Sequence, residues 1–207
     1  MATFVWVVAA LALIFTTGLT AGWLLQRYNT QSGFESEASA IARLLRLEPG
    51  QTVADVLAGS GQWSIDLARR VPGTTVYSTE YGSQAVAALQ RNVGGQDIRV
   101  IASTDGDSGL ESGCCDAILI RAAYHDLKHR EAFNRTLHRA LKPGGRLVVI
   151  DFDQGTPEHQ SGHGIERTRA VEEIAFAGFQ VERTIDDWSG NAFAVVFARS
   201  APADVSP

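Results

Sequence analysis

The sequence predicts an α/β fold: a three-layer sandwich built on a mostly parallel, seven-stranded sheet that ends in an antiparallel hairpin. Two observations carry the first part. Short runs of branched apolar residues alternate with segments of helical periodicity, the pattern of a parallel sheet covered on both faces. The last two strand-like runs are joined by only Asp186 to Asn191, too short for a right-handed crossover, so they must pair antiparallel.

The elements follow in order. Ser36 to Leu47 places Ile41, Leu44 and Leu45 at helical spacing before Pro49-Gly50 ends the segment. Strand Thr52 to Leu57 leads into a turn containing Gly59 and Gly61, then a helix from Gln62 to Arg70. Strand Thr74 to Thr79, helix Ser83 to Asn92 and strand Ile98 to Ala102 complete the first half. Strand Ala117 to Arg121, helix Arg130 to Leu141, strand Arg146 to Phe152 and helix Ile165 to Ala177 follow. The hairpin consists of Phe179 to Ile185 and Ala192 to Ala198.

Composition narrows the function. At 207 residues with 45% hydrophobic side chains, the chain buries one full core and has no room for a second large domain. Lysine and arginine number 18 against 23 acids, with no basic block to grip a phosphate backbone, so nucleic acid is not the expected partner. Cys114 and Cys115, the only cysteines, are adjacent and ill placed for an ordinary disulfide. No metal site is expected: His159 and His163 have ligand spacing, but their segment is glycine-rich and loop-like.

From Thr3 to Gln26 there is no charged side chain, and Phe4 to Leu25 is long enough to span a hydrocarbon layer as a helix. Residues 1–28 are therefore expected to form a transmembrane anchor, 29–35 a linker, 36–200 the main domain and 201–207 a tail. A cleavable signal peptide is the rival reading, although Met1 to Thr3 lack a basic residue and no Ala-x-Ala follows the apolar run. Arg27 beyond the span points the domain toward the cytoplasm; an exported domain is the alternative. Gly18 and Gly22 have the spacing that lets a second helix approach.

Val-Ala-Asp55-Val-Leu-Ala-Gly59-Ser-Gly61 combines a strand with a turn where backbone can approach a ligand, and Glu80 closes the next strand-like run with a carboxylate suited to a ribose diol. Ala140-Leu-Lys-Pro143-Gly144-Gly145-Arg-Leu-Val-Val forces a helix-to-strand turn, and its role is structural. With Cys115-Asp116-Ala-Ile-Leu-Ile, these segments resemble class I S-adenosylmethionine-dependent methyltransferases, Rossmann-like enzymes, across roughly Ser36 to Arg199. Tyr124-His125-Asp126, Ile150-Asp151-Phe152 and Gly162-His163-Gly-Ile further resemble a bacterial group of membrane-associated or exported methyltransferases.

The resemblance implies S-adenosylmethionine as cofactor. It implies Asp55, Gly59 and Gly61 at the methionine end, Glu80 at the ribose hydroxyls, and Asp105 or Asp107 at the adenine amino group. His125 follows the fourth strand at the ligand-binding edge, where an imidazole can take a proton from an acceptor oxygen or nitrogen. Tyr124 and Asp151 are its candidate catalytic companions; pocket shaping or loop capping are the competing roles for all three. The acceptor expected is a small or lipid-like molecule. One departure stands out: Leu57 occupies the position of the motif's first glycine, where positive backbone angles are costly for a side chain. It favours the alternative of a catalytically silent, cofactor-binding or structural subunit of a membrane assembly.

Overall fold

The structure, a computed structural model, describes residues 37–154, 163–189 and 191–200. Residues 41–207 make one compact unit and residues 1–40 another. Of the latter only 37–40 are described, and they are helical. The expected anchor, the linker, Gly18 and Gly22 lie outside the described residues. No helix among the described residues is long and apolar enough to cross a membrane.

Helical residues 41–45 (α1) precede β1 (Thr52–Val56), α2 (Gln62–Arg70), β2 (Thr75–Tyr81), α3 (Ser83–Asn92), β3 (Ile98–Ser103) and β4 (Cys115–Arg121). A short 3-10 turn at Tyr124–Asp126 leads to α4 (Arg130–Ala140), β5 (Leu141–Phe152), α5 (Arg167–Phe176), β6 (Phe179–Ser189) and β7 (Ala192–Arg199). The seven strands are ordered β3-β2-β1-β4-β5-β7-β6. All pairs from β3 to β5 are parallel, while β7 is antiparallel to both β5 and β6, as the short hairpin connection requires.

Period-two alternation divides the sheet between two cores. Val53, Ala117, Leu119, Val148 and Ile150 face one side with Ile41, Leu45 and Leu67 of α1 and α2. Ala54, Val56, Ile118, Ile120 and Val149 face the other with Phe133, Leu137 and Ile174 of α4 and α5. Every residue of β4 from Ala117 to Ile120 is fully buried, as expected of a central strand with both faces covered.

Boundaries differ from expectation at informative places. β2 runs through Tyr81, because Glu80 and Tyr81 still pair with Ala102 and Ser103 of β3, so Glu80 projects from a strand and not a loop. β5 begins at Leu141, which pairs with Cys115 before the register shifts ahead of Ala117. The Pro143-Gly144-Gly145 turn is absorbed into that irregularity. A Cβ on Gly145 would lie 2.9 Å from the Asp116 and Lys142 carbonyl oxygens, so the motif is fixed by space. β6 continues to Ser189 through two register shifts, which keep a long edge strand irregular. α5 starts at Arg167 instead of Ile165, whose amide is taken by the Phe152 carbonyl at 3.0 Å.

Candidate active site

The sheet order reverses at β1, which lies between β2 and β4, and the carboxyl ends of these strands open a crevice there. A cavity of about 330 Å³ occupies it, lined by Leu57, Gly59, Glu80, Asp105, Ala122 and Asp126 among others. That volume lies within the usual range for small-molecule sites.

Its floor is the turn after β1. Leu57 has φ 58°, Gly59 φ 57° and Gly61 φ 77°, so the chain turns through three left-handed residues. Leu57 thus follows the path that glycine would take, at a cost of roughly 1–2 kcal/mol. Thr79 holds it there: its hydroxyl accepts the Leu57 amide at 3.3 Å and its carbonyl accepts the Ala58 amide at 2.9 Å. Gly61 is required by space as well as conformation, since a Cβ would approach Val93 to 2.5 Å and Leu89 to 2.7 Å. Ala122, on the opposite wall, has φ 53°. Two of the three described non-glycine residues with positive φ therefore line this one cavity, consistent with strain concentrated at a working site.

Glu80 reaches across the mouth. One carboxylate oxygen accepts the Gly59 amide at 2.6 Å and the other accepts the Tyr81 amide at 2.8 Å. A carboxylate offers about four lone-pair sites, so two remain for a diol. Asp105 lines the same cavity, whereas Asp107 turns away: its side chain accepts the Gly109 amide at 2.9 Å and its carbonyl accepts the Thr104 amide at 2.8 Å. Between the two acids expected at an adenine, the geometry brings only Asp105 to the cavity. A cavity floored by glycines, with Glu80 at its rim and Asp105 further along, fits an adenosine-bearing cofactor.

Asp55 lies beneath the turn, not in the cavity wall. It is 2% exposed and accepts the Ser64 hydroxyl at 2.6 Å; the Ser78 hydroxyl lies 2.7 Å from that of Ser64. Burial pushes the Asp55 carboxyl up to about 6, with the Ser64 hydrogen bonds opposing and Glu80 adding to the rise. Asp55 thereby ties β1 to α2 and sets the turn between them.

His125 sits on the 3-10 turn above the end of β5. Its Nδ1 lies 2.7 Å from Asp151 Oδ1, and its backbone amide donates to Asp151 Oδ2 at 2.9 Å. Asp151 is 1% exposed and also accepts the Phe152 amide at 2.8 Å. The imidazole Nε2 faces the exposed Asp126 carboxylate at 3.5 Å, and the rings of Phe152 and His163 lie 6.4 Å and 6.5 Å away. His125 and Asp151 are therefore a joined pair, beside the cavity rather than in its wall.

Tyr124, expected as a catalytic companion, is turned to the opposite side. It is fully buried; its hydroxyl accepts from Asn134 Nδ2 at 2.9 Å and donates to Glu173 at 3.3 Å. Burial, reinforced by the Glu173 charge, pushes the phenol above its ordinary value, so proton release is disfavoured. The site's supports that sequence reasoning missed are Thr79, Ser64 and the Arg121 guanidinium stacked 4.7 Å from the Trp63 ring, while Asp126, quoted only as part of a motif, proves to line the cavity. Only the Trp63 and Arg121 types carried any signal; threonine and serine in strands and helices look unremarkable in a sequence.

Residues 54–149 match a protein family described as a methyltransferase domain. A demethylmenaquinone methyltransferase of Thermus thermophilus is 28% identical over 102 residues, covering 48% of this chain and 46% of the relative. A protein-L-isoaspartate O-methyltransferase of Aeropyrum pernix is 33% identical over 143 residues, covering 64% of this chain and 51% of the relative. The chain spans about half the length of the curated relatives it matches. The crystal structure of a SAM dependent methyltransferase from Aquifex aeolicus shares the fold, with a TM-score of 0.69 and 21% identity over 78% of this chain and 89% of that one. The sequence matches place a methyltransferase domain at residues 54–149, and the solved structure shares its fold.

Proposed function

We propose that the protein is an S-adenosylmethionine-dependent methyltransferase that methylates a small or lipid-like acceptor and is held at a membrane by its N-terminal segment. The observation that carries the enzyme reading is the Glu80 carboxylate bound to the Gly59 amide at 2.6 Å across the mouth of the cavity. When bound, S-adenosylmethionine supplies a methyl group on a positive sulfonium, open to in-line displacement by an acceptor oxygen or nitrogen.

The chain has to position, exclude water and take a proton. Glu80 and Asp105 fix the adenosine end, and the glycine turn admits the methionine end. Holding donor and acceptor at attack distance supplies on the order of 7–11 kcal/mol in favourable cases. Asp151, by accepting Nδ1–H, leaves His125 Nε2, which lies beside the exposed Asp126 carboxylate, as the proton-accepting nitrogen. His125, beside the cavity, would take the proton that an acceptor oxygen or nitrogen loses and pass it to solvent.

The silent-subunit alternative rested on Leu57, which takes the left-handed path despite its side chain, so that feature no longer favours it. The uncharged run Phe4 to Leu25 supports the membrane attachment, and a tethered enzyme meets a lipid-like acceptor in its own plane. Calorimetric titration of the full-length protein in detergent with S-adenosylmethionine tests the reading: saturable heat is expected, and none well above micromolar ligand defeats it. Partition into alkaline-washed membranes, lost on removing residues 1–28, tests the anchor.

A further inference from the structure

The turn that carries His125 is held from behind by a second set of bonds. Arg130 Nη1 donates to the Leu127 carbonyl at 2.8 Å and to the His125 carbonyl at 3.5 Å. Arg130 Nε donates to Glu173 Oε2 at 2.6 Å, the oxygen that also receives the Tyr124 hydroxyl at 3.3 Å. Asn134 Nδ2 joins the Tyr124 hydroxyl at 2.9 Å to the Glu173 carbonyl at 3.2 Å. Glu173 comes from α5, far along the chain, and its carboxylate meets both side chains that grip the turn.

Its charge is secure. Burial opposes ionisation, but hydrogen bonds from Arg169 and Arg130 hold the carboxyl below its ordinary range. Asp151 fixes His125 from the β5 side, and the Glu173 pair with Arg130 and Tyr124 fixes the same turn from the α4 and α5 side. Neither set alone determines where the imidazole points: Asp151 holds one ring nitrogen and one amide, and the carbonyl on the far side of the residue is Arg130's.

We infer that Glu173 is a positioning residue for the proposed base: through Arg130 and Tyr124 it locks the turn so that His125 keeps Nδ1 on Asp151 and Nε2 unprotonated on the Asp126 side. The inference rests on the methyltransferase reading for the use of that base, yet the lock itself is visible without substrate.

The test uses the full-length protein with ¹⁵N-labelled histidine at mildly alkaline pH, the His125 signals being assigned by their loss in His125→Gln. Wild type is expected to show a single tautomer with bare Nε2. Glu173→Ala is expected to show averaged ring-nitrogen shifts and, with about one hydrogen bond's worth of restraint gone, roughly tenfold faster exchange of the His125 amide. Glu173→Gln, which keeps an acceptor for Arg130, is expected to restore most of the wild-type pattern. Arg169→Ala, which removes only the outer ion pair, is expected to leave it intact. A folded Glu173→Ala protein whose His125 signals superimpose on wild type overturns the inference, as does Arg169→Ala shifting them equally. Should Glu173→Ala fail to fold, Arg130→Lys decides: it keeps the cation but cannot span Glu173 and both carbonyls, so unchanged signals overturn the lock. Calorimetry with S-adenosylmethionine on the same samples separates the two ideas. Absent heat in wild type defeats the methyltransferase reading while leaving the His125 signals to judge the lock.

Discussion

Asp151 holds His125 twice, by the ring at 2.7 Å and by the backbone amide at 2.9 Å, so one buried carboxylate couples the choice of tautomer to the β5 side of the turn. An isosteric amide cannot do both. Asn presents one acceptor and one donor, and the donor would face either an N–H or the ring. Asp151→Asn is therefore expected to lower methyl transfer by about 10²–10⁴, the usual worth of a positioned base, with S-adenosylmethionine affinity little changed. Labelled-methyl transfer to membrane lipid extract, alongside calorimetry, checks this; an equal loss in affinity would mean that Asp151 serves the cofactor pocket instead.

Glu80 acts at the other end of the site. Its oxygens bind the Gly59 and Tyr81 amides, so removing it costs both the ribose contact and the shape of the turn. Charge-assisted bonds of this kind are worth roughly 1.5–3 kcal/mol, which corresponds to about a 10- to 100-fold loss of affinity for Glu80→Ala. Glu80→Gln keeps the acceptor oxygen and is expected to lose less. Binding unchanged in Glu80→Ala would move the ribose elsewhere.

Ala122 and Ala123 are neighbours with opposite backbone demands. Ala122 has φ 53°, where a Cβ costs roughly 1–2 kcal/mol, while Ala123 has φ −142°, which any residue adopts. Ala122→Gly is expected to stabilise the protein by up to about 1 kcal/mol, the relieved strain exceeding the extra chain entropy of glycine. Ala123→Gly gains no such relief, loses a methyl packed on the core and is expected to destabilise by about 1 kcal/mol. Denaturant midpoints of the pair read the difference; changes of the same sign would remove the strain argument.

The strands, their order of appearance and the closing hairpin were legible because branched runs and helical spacing report burial on each face. Gly59, Gly61 and Glu80 were legible because their chemistry is rare at such positions. Less visible was anything decided by direction rather than type. Tyr124 and His125 are adjacent, yet the 3-10 turn sends one ring beneath α5 and the other over β5. Asp105 and Asp107 read alike, and only the turn closed by Thr104 and Asp107 separates them. Leu57 gave a correct warning of cost, but the Thr79 bonds that hold it come from a neighbouring strand and have no local signature. Glu173 was missed for the same reason: its partners lie on α4 and on the turn after β4.

Asp55 makes a prediction about pH. Its carboxyl is raised from 3.8 to about 6, chiefly by burial, so between those values the folded protein binds a proton that the unfolded chain has released. Stability from this group is therefore fully present below about pH 4 and is lost as pH rises through about 6, with a span on the order of 3 kcal/mol. At neutral pH the protein carries a buried charge whose chief compensation is the Ser64 hydroxyl. Asp55→Asn keeps an acceptor for that hydroxyl and removes the charge. The variant is expected to be more stable than wild type at pH 7, by up to about 3 kcal/mol, and the gap should close as pH falls toward 4. Urea unfolding of both proteins across this window measures the gap directly. A gap that widened on acidification would mean that Asp55 is stabilised as the anion, with its carboxyl depressed in the fold, and that the turn between β1 and α2 depends on its charge.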